Sequence, residues 1–413
     1  MKINNCRICG ADALEVILDY KEMALSDSFL DSIDEIENEK KFPMNLCFCR
    51  ECNHLQIDEI LDPGDLFSDY IYATGFSDAV IKYAKEFHDS IRKTHHENEN
   101  QHAPKVLEVA SNDGTVLSIF KDNGSEVLGI DPAENIVEIA NNRGINSIAG
   151  FFNLESAESI LNNHGTFDIV IGRNVMAHVA DLHGFAEGIS ITLSQDGFAV
   201  IEVPHLQTMF EELQYDQVFH EHIGYHSLDS FCKLYSRFGM EVFDVERIWI
   251  HGGSIRVYLQ HKDGPRKISN RVQQLIDEER ELGLYEISSW NEFANRAIAH
   301  KDSISKKIIE LKQQGKKIAV YGASGKGQCL LQFCQIDNSV VDYVVDKSEL
   351  KHGKITPGTH IPIFPTEHIH EDLPDVILLC AWNFADEIIE QQALYLEKGG
   401  KFLHPLPEPH YVP

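Results

Sequence analysis

Nowhere in the 413 residues is there an apolar run of about 18 residues, the length that a membrane-crossing helix requires. The opening stretch MKINNCRICG has no apolar signal region, so a cytoplasmic protein with no membrane partner is expected. Positive charge is scarce: 36 Lys and Arg against 65 Asp and Glu leave a net charge of −29. Phosphate backbones and anionic lipid would be repelled across most of such a surface. That excludes generic nucleic-acid binding but leaves room for a small anionic ligand in a local pocket. Low-complexity tracts are missing, and no internal period stands out. The nine cysteines fit a reducing compartment better than a disulfide framework. Length and a hydrophobic content of 43% point to two or three globular domains.

What is present begins with the cysteines. Cys6-x-x-Cys9 and Cys49-x-x-Cys52 form two matched pairs, and a tight CxxC turn brings two thiolates to one side of a metal ion about 2.3 Å away. Gly10 and Asn53 follow the pairs, and both residue types accept the turned backbone that a knuckle needs. A structural zinc ion held by these four cysteines is expected. Cys47 offers one thiol too many, and His54 is a weaker candidate. Unrelated buried cysteines are the plainer alternative.

A helix-like segment and a polar run over 95–104 follow the cysteines. Strand and helix patterns then alternate: KVLEVA, DGTVLSIFKDN, EVLGID, ENIVEIANNRG, INSIAG, FDIVIGRN, ADLHGFAEGISITLS and GFAVIEVP. Such alternation implies an α/β fold with a parallel sheet covered on both faces. An aromatic, histidine-rich stretch over 205–240 interrupts it. RIWIHGGSIRVYLQHK then reads as an antiparallel hairpin turning at Gly252-Gly253. One long polar helical stretch, 267–314, leads into a second, smaller α/β unit beginning KKIAVYGASGKGQCLLQFC. The chain accordingly divides into a metal module (1–70), an α/β domain (71–265) and a C-terminal α/β domain (266–413).

A loop between a strand and the next helix aims backbone N–H groups and the helix's positive end at a ligand. The first such loop, Ala110-Ser111-Asn112-Asp113-Gly114-Thr115, lacks GxGxxG, which disfavours a dinucleotide. Asp131 ends the next strand, where an acid grips ribose hydroxyls. Loop and acid together read as an S-adenosylmethionine site, with Phe151-Phe152 as a wall for adenine and Arg173-Asn174 at the same sheet edge. Helix capping by Asp113 and core packing of the phenylalanines are the bland alternatives. The second loop, Tyr321-Gly322-Ala323-Ser324-Gly325-Lys326-Gly327, is denser in glycine and carries a lysine, which suits a diphosphate. Asp346, ending the following strand, again fits a ribose; a tight packed turn is the alternative.

Phe219-His220-Glu221-His222-Ile223-Gly224-Tyr225-His226 is the most chemically loaded stretch. With His178, His205 and His251 it collects imidazoles near one sheet edge, and their ordinary pKa suits proton abstraction at neutral pH. Any single one of these histidines is more simply a structural residue bonded to backbone, and a second metal site lacks a matching further ligand. The cluster as a whole reads as the source of a general base.

The ordered series SNDGT (111–115), NVMAHV (174–179), FHEHIGYHS (219–227), HGGSIRV (251–257), YGASGKG (321–327), PGTHIPI (357–363), AWNFADEI (381–388) and GGKFLHPLPEP (399–409), with the paired CxxC knuckles, resembles a known family over essentially the whole length. That family is the nucleotide-sugar 3-C-methyltransferases that act on dTDP-4-keto-deoxysugars. The resemblance implies a monomer in which a Rossmann-like class I methyltransferase domain is flanked by a zinc module and a C-terminal Rossmann-like domain. It implies His222 as the base, with Glu221 and His178 beside it and Tyr72 approaching the sugar. Ala110, Asn112, Asp113, Asp131, Phe152 and Asn174 would hold S-adenosylmethionine. Gly322, Ser324, Lys326, Asp346 and Asn383 would hold the nucleotide-linked sugar. The family often has tyrosine where Phe219 stands, so Tyr225 or His220 is the nearest replacement for that phenol. An NAD-dependent sugar-nucleotide oxidoreductase and a non-catalytic nucleotide-sugar binder are the competing readings.

Overall fold

The computed structural model describes residues 2–61, 78–96 and 102–412. After each cysteine pair the chain reverses through a left-handed residue, Gly10 at φ 77° and Asn53 at φ 63°. The N–H of each donates back to the carbonyl of the first cysteine in its pair, at 2.8 and 2.9 Å. Strands β1 (Leu14–Ala24) and β2 (Lys41–Cys49) follow the first knuckle and lead into the second. Their pairing from Leu14↔Cys49 to Ala24↔Lys41 carries polar positions along with apolar ones. β3 (Leu55–Ile57) adds a third antiparallel strand.

The central sheet is built from β4 (Lys105–Val109), β5 (Glu126–Asp131), β6 (Ser147–Ala149), β7 (Phe167–Arg173) and β8 (Leu193–Pro204). These five are parallel. Runs such as Val106 to Val109 are buried throughout, as strands covered on both faces must be. The two-residue strand β9 (Gly224–Tyr225) leaves this region and pairs with β3, so the histidine-rich segment supplies the fourth strand of the first sheet. β10 (Met240–Ile248) and β11 (Ser254–His261) form the expected antiparallel hairpin. The order β10-β11-β8-β7-β4-β5-β6 reverses direction of travel between β4 and β7. Ligands settle in the crevice at such a switch point.

The long polar stretch is two helices, Asn270–Glu281 and Ile287–Gln313, because Gly283 at φ 78° breaks the spiral between them. The last sheet comprises β12 (Ile318–Tyr321), β13 (Tyr343–Asp346), β14 (Ile363–Pro365), β15 (Val376–Leu379), β16 (Lys401–His404) and β17 (His410–Val412). They are ordered β14-β13-β12-β15-β16-β17, and only β17 runs antiparallel to its neighbour. One continuous apolar core joins Leu46 and Ile57 of the first sheet, Tyr215 and Val218 of the 205–225 segment, and Ile318 and Leu330 of the last unit. The segment carrying the histidines therefore joins the first sheet to the last unit.

Candidate active site

The sulfurs of Cys6, Cys9, Cys49 and Cys52 lie within 4.8 Å of one another, with Cys6 to Cys52 at 3.4 Å and Cys9 to Cys49 at 3.5 Å. These are thiols, not disulfides, and four of them converging on a point fit a tetrahedral zinc ion with no open position. Cys47 points to the carbonyl of Asn45 instead. The His54 ring is buried in a stack on His226, centroids 5.0 Å apart. Arg7, between the first two cysteines, donates to the carbonyls of Ile223 at 2.7 Å, Ala180 at 3.3 Å and Val179. The knuckle thus grips the backbone just beyond His178 and His222.

A cavity of about 810 Å³ opens at the carboxyl ends of β4, β5 and β7 and extends to the turn after β12. On the first side it is lined by Ala110, Asn112, Asp131, Phe151, Phe152, Arg173 and Asn174. The carboxylate of Asp131 is latched by the N–H groups of Asn112 at 2.9 Å and Ala133 at 3.0 Å. Burial nevertheless holds its pKa above the ordinary value, with those two bonds opposing. Ala110, Asn112 and Asn174 all have left-handed φ, at 54°, 50° and 52°. Such a conformation costs a non-glycine residue about 1 kcal/mol or more, and it recurs where backbone must meet a ligand. Phe151 is 45% exposed and forms the open wall, whereas Phe152 packs edge-on against Phe185 at 5.7 Å. Arg173 reaches under this half to Glu108 at 3.2 Å. A latched acid, upturned backbone and an aromatic wall fit the ribose and adenine of S-adenosylmethionine.

On the other side stand His178, Phe219, Glu221, His222, Ser324, Lys326 and Asn383, together with Asp27 from the first sheet's loop. The Nδ1 of His222 lies 3.2 Å from the carbonyl of Gln217. A carbonyl only accepts, so Nδ1 carries the hydrogen and Nε2 is the basic nitrogen of the neutral ring. The hydroxyl of Tyr225 donates to the His222 carbonyl at 2.6 Å and fixes the backbone. Phe219 stacks on the imidazole at 4.1 Å, and His178 meets it edge-on at 4.7 Å. Burial drives His178 down to about 4, against the opposing bond to the backbone of Glu221, and so keeps it neutral. Burial pushes Glu221 well up; the Asp27 carboxylate adds to this and Lys351 opposes it. Its surroundings thus favour the protonated form more than water does.

Several expected site residues stand elsewhere. Asp113 caps the Thr115 N–H and hydroxyl at 3.2 and 2.7 Å and pairs with Arg143 at 2.8 Å, a helix-start role and not a cavity wall. His220 turns to the first sheet, its ring 6.0 Å from that of Phe42, because the segment's backbone twists it away from its neighbours. Tyr225 is buried beneath the base and faces a small neighbouring pocket. Asp346 accepts the N–H groups of Ala323 at 2.7 Å and Ser348 at 2.8 Å and does not line the cavity. Gly322 shapes the turn: it sits at φ 99°, and a Cβ there would lie 2.7 Å from that of Ala381. Tyr72 lies outside the described residues. Sequence reasoning missed Asp27 and Gln217, whose loop and turn carry no motif.

Three family descriptions match in succession: a zinc binding domain over residues 6–67, a methyltransferase domain over 81–245 and a C-methyltransferase C-terminal domain over 249–407. The C-methyltransferase NovU of Streptomyces niveus is 34% identical over 410 residues, 99% of this chain and 97% of that one. A ubiquinone biosynthesis O-methyltransferase of Bartonella tribocorum is 24% identical over 98 residues, 24% of this chain and 40% of the other. The S-adenosylmethionine-bound magnesium protoporphyrin IX methyltransferase ChlM of Synechocystis PCC 6803 superposes with a TM-score of 0.37 at 13% identity, covering 49% of this chain and 98% of that one.

The protein is a class I, S-adenosylmethionine-dependent methyltransferase with a zinc-binding module in front. It belongs to the C-methyltransferase family that includes NovU. Membership in a methyltransferase family answers both the oxidoreductase and the non-catalytic reading.

Proposed function

We propose that the enzyme methylates a carbon, C3 beside a 4-keto group, of a nucleotide-linked deoxysugar, with thymidine diphosphate as the carrier, acting as a cytoplasmic monomer. The observation that carries this reading is the single cavity bordered by Asp131, His222 and Ser324. Two adjoining halves of one cavity support a reading in which a methyl donor meets a tethered sugar. When bound, S-adenosylmethionine supplies a sulfonium methyl group as the electrophile.

The protein's own groups do the rest. A carbon next to a ketone is acidic enough for an imidazole once the enolate oxygen is hydrogen-bonded. His222 Nε2 takes that proton, while the Gln217 carbonyl stabilises the imidazolium through Nδ1. Glu221 and neutral His178 orient the sugar hydroxyls around the reacting carbon. The apolar Phe219 keeps water from the base. Ser324 and Asn383 receive the nucleotide diphosphate, and Asp131 and Asn112 receive the cofactor. Holding both reactants near contact supplies much of the acceleration. The zinc ion stays at the knuckles and orders the backbone there.

The test is incubation with methyl-labelled donor and a panel of nucleotide-linked keto-sugars, with the product located by NMR. Label on a sugar carbon is expected. Binding of donor and sugars without transfer to any of them would end the reading.

A further inference from the structure

We propose that Lys326 supplies the positive charge that receives the enolate oxygen, making the C-terminal unit a contributor to the chemistry as well as the holder of the nucleotide. This rests on the reading that the site enolises a keto-sugar.

Among the described residues lining the cavity, Arg173 and Lys326 are the two with aliphatic-stemmed cationic heads. Arg173 belongs to the cofactor half, bonded to Glu108 and lying 5.4 Å from the Phe87 ring. Lys326 belongs to the other half. Its neighbour Gly325 packs so closely on Phe219 that a Cβ there would lie 3.1 Å from the ring, and that ring stacks on His222. Phe219 itself has no donor to offer an oxyanion.

The turn Tyr215–Gln217 holds both partners. The carbonyl of Gln217 takes the Nδ1 hydrogen of His222. The fully buried carboxylate of Asp216 is the charge partner of Lys326 and accepts from Trp382 Nε1 at 2.6 Å. The Trp382 ring lies 5.0 Å from the Lys326 ammonium. Base and cation are thus fixed by adjacent residues, as a proton-removing pair needs. The diphosphate has other donors in the Ser324 hydroxyl and the amides opening the helix Gly325–Phe333.

Burial lowers the Lys326 pKa to about 8 against the opposing charge of Asp216; burial raises that of Asp216 to about 6, with Lys326 and the Trp382 bond opposing. Asp27, Glu221 and His222 line the same cavity as Lys326, and the thiols of Cys329 and Cys380, which feel the Asp216 charge, are pushed up and neutral. In the step, the C–H electron pair moves into the carbon–carbon bond and the carbonyl π pair onto oxygen. The proton passes to His222 Nε2, and the oxyanion accepts a hydrogen bond from the Lys326 ammonium. That donor is lost as pH rises through about 8.

The experiment measures solvent-deuterium incorporation into a thymidine-diphosphate-linked 4-keto-6-deoxyhexose without methyl donor, alongside kcat and KM for methyl transfer across pH. Lys326→Met is expected to lower both exchange and kcat by about 10²-fold or more, the loss seen on removing an oxyanion donor, with KM for the sugar within about threefold. Lys326→Arg should restore part of the rate and move the basic limb of the pH profile upward. Asp216→Asn, which removes the charge that raises the lysine, should move it downward. Wild-type exchange in Lys326→Met, or a raised KM with unchanged kcat, would reduce the lysine to a phosphate contact. If Lys326→Met fails to bind S-adenosylmethionine and so to fold, the limb decides, and an unmoved limb in the other two variants overturns the proposal. Wild-type enzyme that neither exchanges nor methylates any keto-sugar sinks the underlying function instead.

Discussion

In the turn after β4, the N–H of Asn112 donates to Asp131 at 2.9 Å; in the turn after β12, that of Ala323 donates to Asp346 at 2.7 Å. Each acid takes a second N–H two residues further on, from Ala133 at 3.0 Å and Ser348 at 2.8 Å. The device is the same, and what it faces is not. Asp131 lines the cavity, whereas Asp346 lies behind its turn with the Lys351 ammonium 3.8 Å away. An acid ending the second strand of such a unit is first a latch that shapes the turn. It becomes a ligand group only where the sheet's switch point opens in front of it.

That contrast can be attacked in order of expected effect. His222→Ala should cut methyl transfer by about 10³-fold or more while leaving S-adenosylmethionine affinity within about twofold, because the base belongs to the acceptor half. Turnover near wild type would remove His222 from the mechanism. Asp131→Asn should weaken the cofactor by about tenfold, the worth of a charge-assisted bond, with sugar KM unmoved; calorimetry showing wild-type affinity would erase the asymmetry between the two acids. Asp346→Asn should change neither donor nor nucleotide affinity by more than about twofold and lower stability by about 1 kcal/mol. Collapse of nucleotide binding in that variant would make Asp346 a ribose ligand after all.

The smallest effect concerns protonation. The ring of His178 should stay neutral down to about pH 4, and that of His226, lowered mainly by burial, to about 3. The unfolded chain binds those protons from about pH 6.5 downward, so each histidine's contribution to stability is lost as pH falls through that window. Glu108, raised to about 7 by burial against Arg173, acts in the opposite sense, so bulk melting would blur the effect. NMR titration of the individual imidazoles resolves it, and a midpoint near 6.5 for His178 would contradict its burial.

Much of this was legible because it repeats locally. The knuckles declared themselves through residue type at the reversal, Gly10 and Asn53, and the parallel strands through unbroken apolar runs. The two glycine turns stood out for the same reason. What escaped depends on distant partners. Nothing near Gly224 announces that two residues will complete a sheet begun at Leu14, and nothing near Asp27 signals a loop reaching the cavity. Asp113 and His220 sit inside motifs as telling as their neighbours. Yet one is claimed by Arg143 and the other by the Phe42 strand, and side-chain direction within a turn is not written in composition.

Arg7 gives the metal a reach beyond its own shell. Its guanidinium clasps the peptide groups after both His178 and His222, so a chelator would behave as a slow, substrate-independent inhibitor. Catalysis would fade as the knuckle loosens, ahead of any global melting. The zinc content of a preparation is then a hidden variable in every rate measured on it.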